Sequence, residues 1–216
     1  MFKLVCITNR KLCKPSFLDI VKMILSKEKS NDTKALSTDN LTDTNNLSAG
    51  KSADSNLPKP DMLILREKDL SEEEYYELAK KIKPMCEEAG VEFVIHTHVN
   101  VAKELRVKSI HLPLGKYIML TEEDKQNFNN IGTSVHSLED LEKAISLGAT
   151  YVLAGHIYET DCKKGLPGRG LEFLQQICNN ASVPVIAIGG MNADRLKEVE
   201  AVGASGAAIM SGYMKK

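Results

Sequence analysis

The chain has 216 residues, a formal net charge of −1 and 43% apolar residues. That size suits one domain with a real core, and a near-neutral balance with no basic stripe argues against a nucleic-acid partner. The five cysteines, Cys6, Cys13, Cys86, Cys162 and Cys178, are odd in number, widely spaced and form no CxxC pair, so reduced thiols in a cytoplasmic protein are expected rather than a disulfide frame or a zinc site. The opening MFKLVCITNRK turns polar too soon for a signal-peptide core, and no stretch approaches the length of a membrane span.

In chain order, KLVCIT at 3–8 reads as a first strand and PSFLDIVKMIL at 15–25, with proline in its first turn, as a first helix. Between 26 and 60 the composition changes. Ser, Thr, Asn, Asp and Lys dominate, no aromatic residue occurs, and the leucines at 36, 41, 47 and 57 follow no period. Such a stretch buries too little apolar surface to offset its ordering entropy, so 26–60 is expected to be a disordered insertion within a single domain spanning 1–216. Residues 1–25 are too few to fold alone, which excludes a linker between two domains.

DMLILRE at 61–67 is the second strand. The run 71–90 is a helix that opens on Ser71 and Glu74 in capping-box spacing and closes at Gly90. VEFVIHT at 91–97 is the third strand, a short helix follows near 99–106, and KSIHL at 108–112 is the fourth. TEEDKQNF at 121–128 reads as a short helix, IGTSVH at 131–136 as the fifth strand and SLEDLEKAISLG at 137–148 as a capped helix. TYVLAG is the sixth strand, with GLEFLQQICNN as its helix. VPVIAIGG at 183–190 is the seventh, followed by NADRLKEVEAVG at 192–203. SGAAIMSG at 205–212 is the eighth.

Eight strands joined by crossovers imply a parallel sheet, and runs such as VLAG, VIAIGG and AAIMSG are apolar throughout, as strands buried on both faces are. The pattern predicts an α/β protein, a closed (β/α)8 TIM barrel. An open dinucleotide-binding sheet should carry GxGxxG after an early strand; here the first strand runs into Thr8-Asn9-Arg10-Lys11. The insertion falls between the first helix and second strand, on the face away from the chemistry. The sequence stops soon after the eighth strand, so the final helix is expected to be missing, leaving an apolar patch or a homo-oligomeric contact.

Catalytic groups in a barrel sit at the C-terminal strand ends, with phosphate commonly beyond strands seven and eight. Those ends carry Gly189-Gly190 and Ser211-Gly212, where backbone N–H groups can approach phosphate oxygens. A tight turn would use the first pair equally well. The second strand ends in Arg66-Glu67-Lys68; alternation points Arg66 and Lys68 the same way, which suits an anionic substrate. The fifth ends in His136, and histidine is the residue type suited to exchanging protons at neutral pH. After the sixth strand comes GHIYETDCKKGLPGRG at 155–170. Its Thr160, Cys162, Lys163 and Lys164 include good phosphate donors, and its glycines and proline allow a tight lid.

REK, SVHS, GHIYETDCKKG, VIAIGGM and AAIMSG together resemble the thiamin phosphate synthase/TenI superfamily over most of the chain outside 26–60, and GHxxETDCKKGLxGRG resembles its TenI branch. The synthase pattern has a Gln two residues before the strand-two Arg, where this chain has Ile64. It has Asn-Asp where His96-Thr97 stands, and Gly-Gln-x-Asp where Pro113-Leu114-Gly115-Lys116 stands. Its two aspartates hold magnesium; Thr97 and Lys116 cannot. Gly155-His156 replaces Gly-Pro, and Cys162 replaces Thr. The TenI resemblance implies a thiazole tautomerase, an isomerase of thiamin synthesis acting on a carboxythiazole phosphate without metal or other cofactor. His136 would be its acid/base group, Arg66 or Lys68 its carboxylate contact, Thr160 and Lys163 substrate contacts, and Gly189, Gly190, Ser211 and Gly212 its phosphate anchor. Thiamin phosphate synthase and a non-catalytic TenI-like regulator or ligand sensor remain alternatives.

Overall fold

Strand 1 pairs in parallel with both strand 2 and strand 8, which is what closes the sheet. The structure, a computed structural model, describes residues 1–14, 16–29, 57–163 and 165–215. Its eight parallel strands are β1 (Lys3–Ile7), β2 (Met62–Leu65), β3 (Glu92–His96), β4 (Ser109–Pro113), β5 (Asn130–Val135), β6 (Tyr151–Gly155), β7 (Val185–Ile188) and β8 (Gly206–Ile209), and they close in sequence order. The helices are α1 (Phe17–Leu25), α2 (Glu72–Ala89), α3 (Val99–Glu104), α4 (Leu114–Ile118), α5 (Glu122–Lys125), α6 (Leu138–Ser146), α7 (Gly170–Asn180), α8 (Leu196–Ala201) and α9 (Ser211–Met214). The (β/α)8 TIM barrel is therefore present.

Alternation along each strand divides the core in two. Outward residues such as Leu4, Cys6, Leu63, Leu65, Phe93 and Ile95 pack with the helices. Inward residues Val5, Ile7, Met62, Ile64, Val94, Tyr151, Leu153, Ile186 and Ala208 fill the barrel. Both faces of β2 and β7 are apolar, whereas the inward rows of β4 and β5 carry Ser109, His111, Asn130 and Ser134. At the foot of the barrel the Glu92 carboxylate accepts from Ser109 Oγ at 2.6 Å and Asn130 Nδ2 at 2.7 Å. This plug satisfies a charge that would otherwise be costly to enclose.

Local signals set the helix ends. Ser71 and Glu74 form the reciprocal capping box of α2, and Gly90 closes it with φ 65°. Ser137 Oγ accepts from the Asp140 N–H at the start of α6. Several helices are shorter than the periodicity suggests: α5 has 4 residues and α3 has 6. The run from Asn192 opens as a 3-10 turn, Ala193–Arg195, before α8. Helix α4 is not foreseen, because five residues with a glycine show no period. It forms around Tyr117, which is fully buried and donates to the Leu147 carbonyl at 2.8 Å.

Residues 30–56 of the expected insertion lie outside the described residues. Its edges differ from the disordered reading given to 26–60. Leu57 is buried in the outer core, Lys27 Nζ donates to the Leu57 carbonyl at 2.5 Å, and the Lys59 N–H to the Glu28 carbonyl at 3.0 Å. The position after β8 also differs from the expected gap. There the short α9 buries Tyr213 and Met214 in the same outer cluster as Leu57, and Tyr213 donates to the Pro58 carbonyl at 2.9 Å. An aromatic ring and one turn thus fill space that the expected absence of the final helix would have left open.

Gly132 of β5 faces the ring of Tyr151 so closely that a Cβ there would sit 2.0 Å from its Cζ. Gly132→Ala is expected to destabilise the barrel by roughly 1–3 kcal/mol, as overpacking does. The urea midpoint should fall at unchanged m-value; an unaltered midpoint would show that the ring is free to move.

Candidate active site

The inward row continues past the apolar core into the barrel mouth, where its chemistry changes. Leu65 pairs with Ile95, and His96 with His111, so Arg66, His96 and His111 occupy neighbouring positions across β2, β3 and β4. His111 is 1% exposed and bridges two hydroxyls: Nδ1 lies 3.2 Å from Tyr151 Oη and Nε2 lies 3.0 Å from Ser134 Oγ. The His96 ring stacks over it, with centroids 5.9 Å apart and planes 19° from parallel. His96 Nδ1 lies 2.7 Å from Thr97 Oγ1.

Both imidazoles are held neutral. Burial, then the Arg66 guanidinium, pushes His111 down to about 3. Burial, followed by His111, Arg66, Lys68 and His98, pushes His96 down to about 2. A desolvated cation near other cations is doubly disfavoured. Lys68 is lowered by Arg66 first and by partial burial second. Among the described residues, Arg66, Lys68 and Lys116 have no carboxylate partner. Glu67, which separates the first two, turns away. Buried, its Oε1 accepts from Thr8 Oγ1 at 2.7 Å, and both its oxygens accept from the Arg10 N–H at 3.1 Å.

His136 lies just beyond β5 and is exposed. Its Nδ1 is 2.6 Å from the Gly155 carbonyl oxygen. A carbonyl only accepts, so Nδ1 carries the proton and Nε2 of the neutral ring presents a lone pair. Its backbone N–H donates to Asp140 Oδ2 at 2.7 Å, which ties it to the first turn of α6. The neighbouring strand and helix thus set both the tautomer and the anchorage of the ring.

Across the mouth, a cleft of about 710 Å³ opens over β7, β8 and β1. Thr160, Lys163, Gly190 and Ser211 line it, as the barrel rule anticipates, together with Asn9, Asn192 and Arg195. Gly189 and Gly190 have φ of 99° and 63°, and added Cβ atoms would meet His156 and the Glu159 carbonyl. The diglycine therefore serves the close approach of the β6 loop as well as the turn. Tyr158 and Ile157 donate to the carbonyls of Gly189 and Ile188 at 3.1 and 2.9 Å. Gly212 is buried in α9 and does not line the cleft. Neither do Arg66, Lys68 and His136. The nominated residues thus fall into two groups, a cationic and imidazole group over β2–β5 and a cleft of substrate size over β6–β8 and β1, to which the β6 loop also brings Glu159 and Asp161. Lys164 and the side chain of Cys162 lie outside the described residues.

Sequence reasoning missed Arg195, which donates to the Gly190 carbonyl and stacks on Tyr158 with 4.1 Å from Cζ to ring centroid. Its signal was the arginine three residues after the capping Asn192, hidden inside an ordinary helical period. It also missed His111, whose strand position points into the barrel.

Among the described residues no group of three His, Cys, Asp or Glu is placed to hold a metal. Where the synthase resemblance implies two magnesium-binding carboxylates, Thr97 Oγ1 is engaged by an imidazole and Lys116 brings an ammonium. These residues do not fit a hard divalent cation, which requires anionic or neutral oxygen ligands.

A closed barrel with an imidazole and cations at its strand ends and a cleft at its C-terminal mouth places the chain in the TIM-barrel class. Residues 4–213 match the family model described as TMP-TENI, thiamine monophosphate synthase. The chain belongs to this family of thiamine-biosynthesis enzymes. It is 32% identical over 160 residues to the thiamine-phosphate synthase of Clostridium tetani, covering 72% of this chain and 75% of that one. It is 35% identical over 151 residues to that of Pyrococcus horikoshii, covering 69% and 72%. Among solved structures, thiamine phosphate pyrophosphorylase from Pyrococcus furiosus superposes with a TM-score of 0.74 at 26% identity, covering 100% of this chain and 88% of the other. No helix among the described residues is long and apolar enough to cross a membrane.

The lowered histidines give a signed pH prediction. A histidine whose folded value lies below its ordinary 6.5 stabilises fully above that pH, and the contribution is lost as pH falls toward the folded value. For His96 and His111 the window runs from 6.5 down toward about 2 and about 3. Stability should therefore fall on acidification from pH 7 to 5, by at most about 1.4 kcal/mol per pH unit for each imidazole. The paired carboxylates Asp69 and Asp124, held below their usual range by Lys11 and Lys103, lose their share only at lower pH. Urea unfolding across pH 5–7 should show a shallower slope in His111→Gln. Equal slopes would mean that the ring is not buried neutral.

Proposed function

We propose that the chain is a thiazole tautomerase-like enzyme that isomerises a carboxythiazole phosphate by proton transfer at His136. The observation that carries this reading is the 2.6 Å contact between His136 Nδ1 and the Gly155 carbonyl. It supports a ring whose Nε2 is free to take a proton and, as imidazolium, to return one. The reaction is balanced: the proton leaves one atom of the substrate and is restored at another as the ring becomes aromatic. The phosphate ester would lie in the cleft lined by Thr160, Lys163, Gly190 and Ser211, with Gly189 and Gly212 shaping its strand tips and Arg195 at its wall. The carboxylate would face Arg66 and Lys68. Positioned proton transfer of this type contributes about a hundred- to ten-thousandfold.

A second reading is thiamin phosphate synthase, and the names of relatives at 30–36% identity favour it. Against it stand Thr97 and Lys116, at the two positions where the synthase pattern has its magnesium-holding carboxylates, and Ile64, where that pattern has a Gln. A ligand sensor would bind a thiazole phosphate tightly without turnover.

His136→Asn is expected to lower tautomerisation by about a hundred- to ten-thousandfold while leaving the affinity for the phosphate ester unchanged. Solvent-deuterium incorporation into the carboxythiazole phosphate, followed by NMR, reads the rate. An unchanged rate would remove His136 from the mechanism. Magnesium-dependent joining of hydroxymethylpyrimidine pyrophosphate to thiazole phosphate by the wild-type protein would establish the synthase reading instead.

A further inference from the structure

The loop after β6 carries Thr160 and Lys163 to the cleft, and backbone bonds hold both its ends. Ile157 and Tyr158 are bonded to the end of β7, and the Arg169 and Gly170 N–H groups donate to the His156 and Ile157 carbonyls, each at 2.9 Å. Between these pins the loop bends over the cleft. The ion pair at its tip, Asp161 with Lys215 at 3.8 Å, is exposed at both partners and contributes little. A side-chain cluster at its base is better built. Tyr158, half-buried, lies on the face of Arg195, with Cζ 4.1 Å from the ring centroid. Arg195 Nη1 donates to the Gly190 carbonyl, so the guanidinium bridges the β6 loop and the diglycine after β7. Glu198, three residues on and therefore on the same helical face, accepts from Tyr158 Oη at 2.6 Å. Asn192 Oδ1 accepts from the Arg195 N–H at 3.2 Å and fixes the turn from which both side chains leave. The loop rests directly on the diglycine: a Cβ on Gly190 would lie 2.7 Å from Tyr158 Cβ and 2.6 Å from the Glu159 carbonyl oxygen. Burial, then the bond to Glu198 and its charge, raise Tyr158 to about 12 against the opposing pull of Arg195, so the phenol stays a donor near neutral pH.

A loop that becomes ordered only when its ligand arrives lowers affinity by the entropy it loses; a loop held in place beforehand does not. We propose that Tyr158, Arg195 and Glu198 form a positioning brace that holds the β6 loop in its binding geometry over the cleft, so that affinity for the anionic ester, and not the proton-transfer step, depends on it. The inference rests on the proposed seating of the phosphate ester in this cleft. Tyr158 and Glu198 do not line the cleft. They act through the loop residues Thr160 and Lys163 and not on the ligand, which makes them positioning residues. Arg195 lines it, so the test relies on the other two.

The test uses the full chain, hydrogen exchange read by mass spectrometry, and titration with carboxythiazole phosphate and, separately, inorganic phosphate. Tyr158→Phe removes the bond to Glu198 but keeps the ring over Arg195; Tyr158→Leu removes both. In Tyr158→Leu the amides of the β6 loop should exchange about three- to thirtyfold faster, the worth of a partly exposed cation–π contact and one hydrogen bond. Those of β4, β5 and α2 should keep their wild-type rates. KM for the ester should rise by a similar factor while kcat at saturation stays unchanged. Tyr158→Phe should show a smaller effect, Glu198→Ala should match it, and the double variant should be no worse than either. Loop exchange that is unchanged in Tyr158→Leu overturns the brace, as does faster exchange with unaltered affinity, or a loss confined to kcat. If carboxythiazole phosphate is neither bound nor turned over, yet inorganic phosphate binding and loop exchange both respond to Tyr158→Leu, the brace stands and the tautomerase reading falls. Failure of the wild-type protein to bind either anion overturns both.

Discussion

The electrostatics of the barrel mouth depend on where Glu67 puts its carboxylate. It could have neutralised Arg66 and Lys68 on either side of it. Instead it is buried against β1, taking Thr8 Oγ1 and the Arg10 N–H. Burial raises its pKa while these donors and Arg10 lower it, as expected for a desolvated carboxylate that keeps good hydrogen bonds. Two consequences follow. The first loop is fastened to the second strand end, and Thr8 Oγ1 in turn accepts from the Arg66 N–H at 2.9 Å. The cations beside it have no carboxylate partner among the described residues, and after burial Arg66 helps keep His96 and His111 neutral, with Lys68 adding to it at His96.

The neutral pair also explains how the barrel changes from core to site within one turn of its inward row. Low on the axis, Glu92 Oε1 accepts from both Ser109 and Asn130. At mid-height Tyr151, His111 and Ser134 share hydrogen bonds that need no net charge. At the rim, Arg66, Lys68 and Lys116 have no carboxylate partner among the described residues. A formal charge at mid-height would incur the desolvation cost that the plug avoids through its two donors. The proton-transfer group proposed, His136, stands higher still, beyond β5 and outside the buried layer, with its Nδ1 held by the Gly155 carbonyl.

Much of this was legible in the sequence because closed parallel barrels write both faces of each strand in the same apolar alphabet, and caps such as Ser71–Glu74 and Gly90 mark helix ends locally. VLAG and VIAIGG announced strands buried on two sides, and the strand-end rule directed attention to His136 and Gly190. What stayed hidden depended on contacts distant in sequence. Nothing local says that Leu57 will bury beside Tyr213, or that five residues around Tyr117 will coil. Alternation placed Arg66 and Lys68 together but could not show that Glu67 would be claimed by β1. Nor could it show that His111 lies below them in contact with Tyr151, a residue 40 positions away. The two-group layout of the nominated residues belongs to the same class: it follows from the circular order of strands, which brings β8 beside β1 and leaves β4 and β5 opposite.

That circular order bears on the choice between reaction types. A site that joins two molecules by displacing pyrophosphate must stabilise a leaving group whose charge grows during the reaction, and oxygen-ligated magnesium does this by binding it at close range. An ammonium on a flexible stem is a weaker and less directional version of the same charge. It serves well for holding a group whose charge stays constant, such as a carboxylate carried unchanged through an isomerisation. Thr97 and Lys116 in place of paired acids therefore exchange a site that must recruit a cation for one that carries a fixed positive charge. The fixed-charge arrangement suits a reaction in which only a proton moves, and in which the imidazole across the rim, not the cation, makes the difference between ground state and transition state.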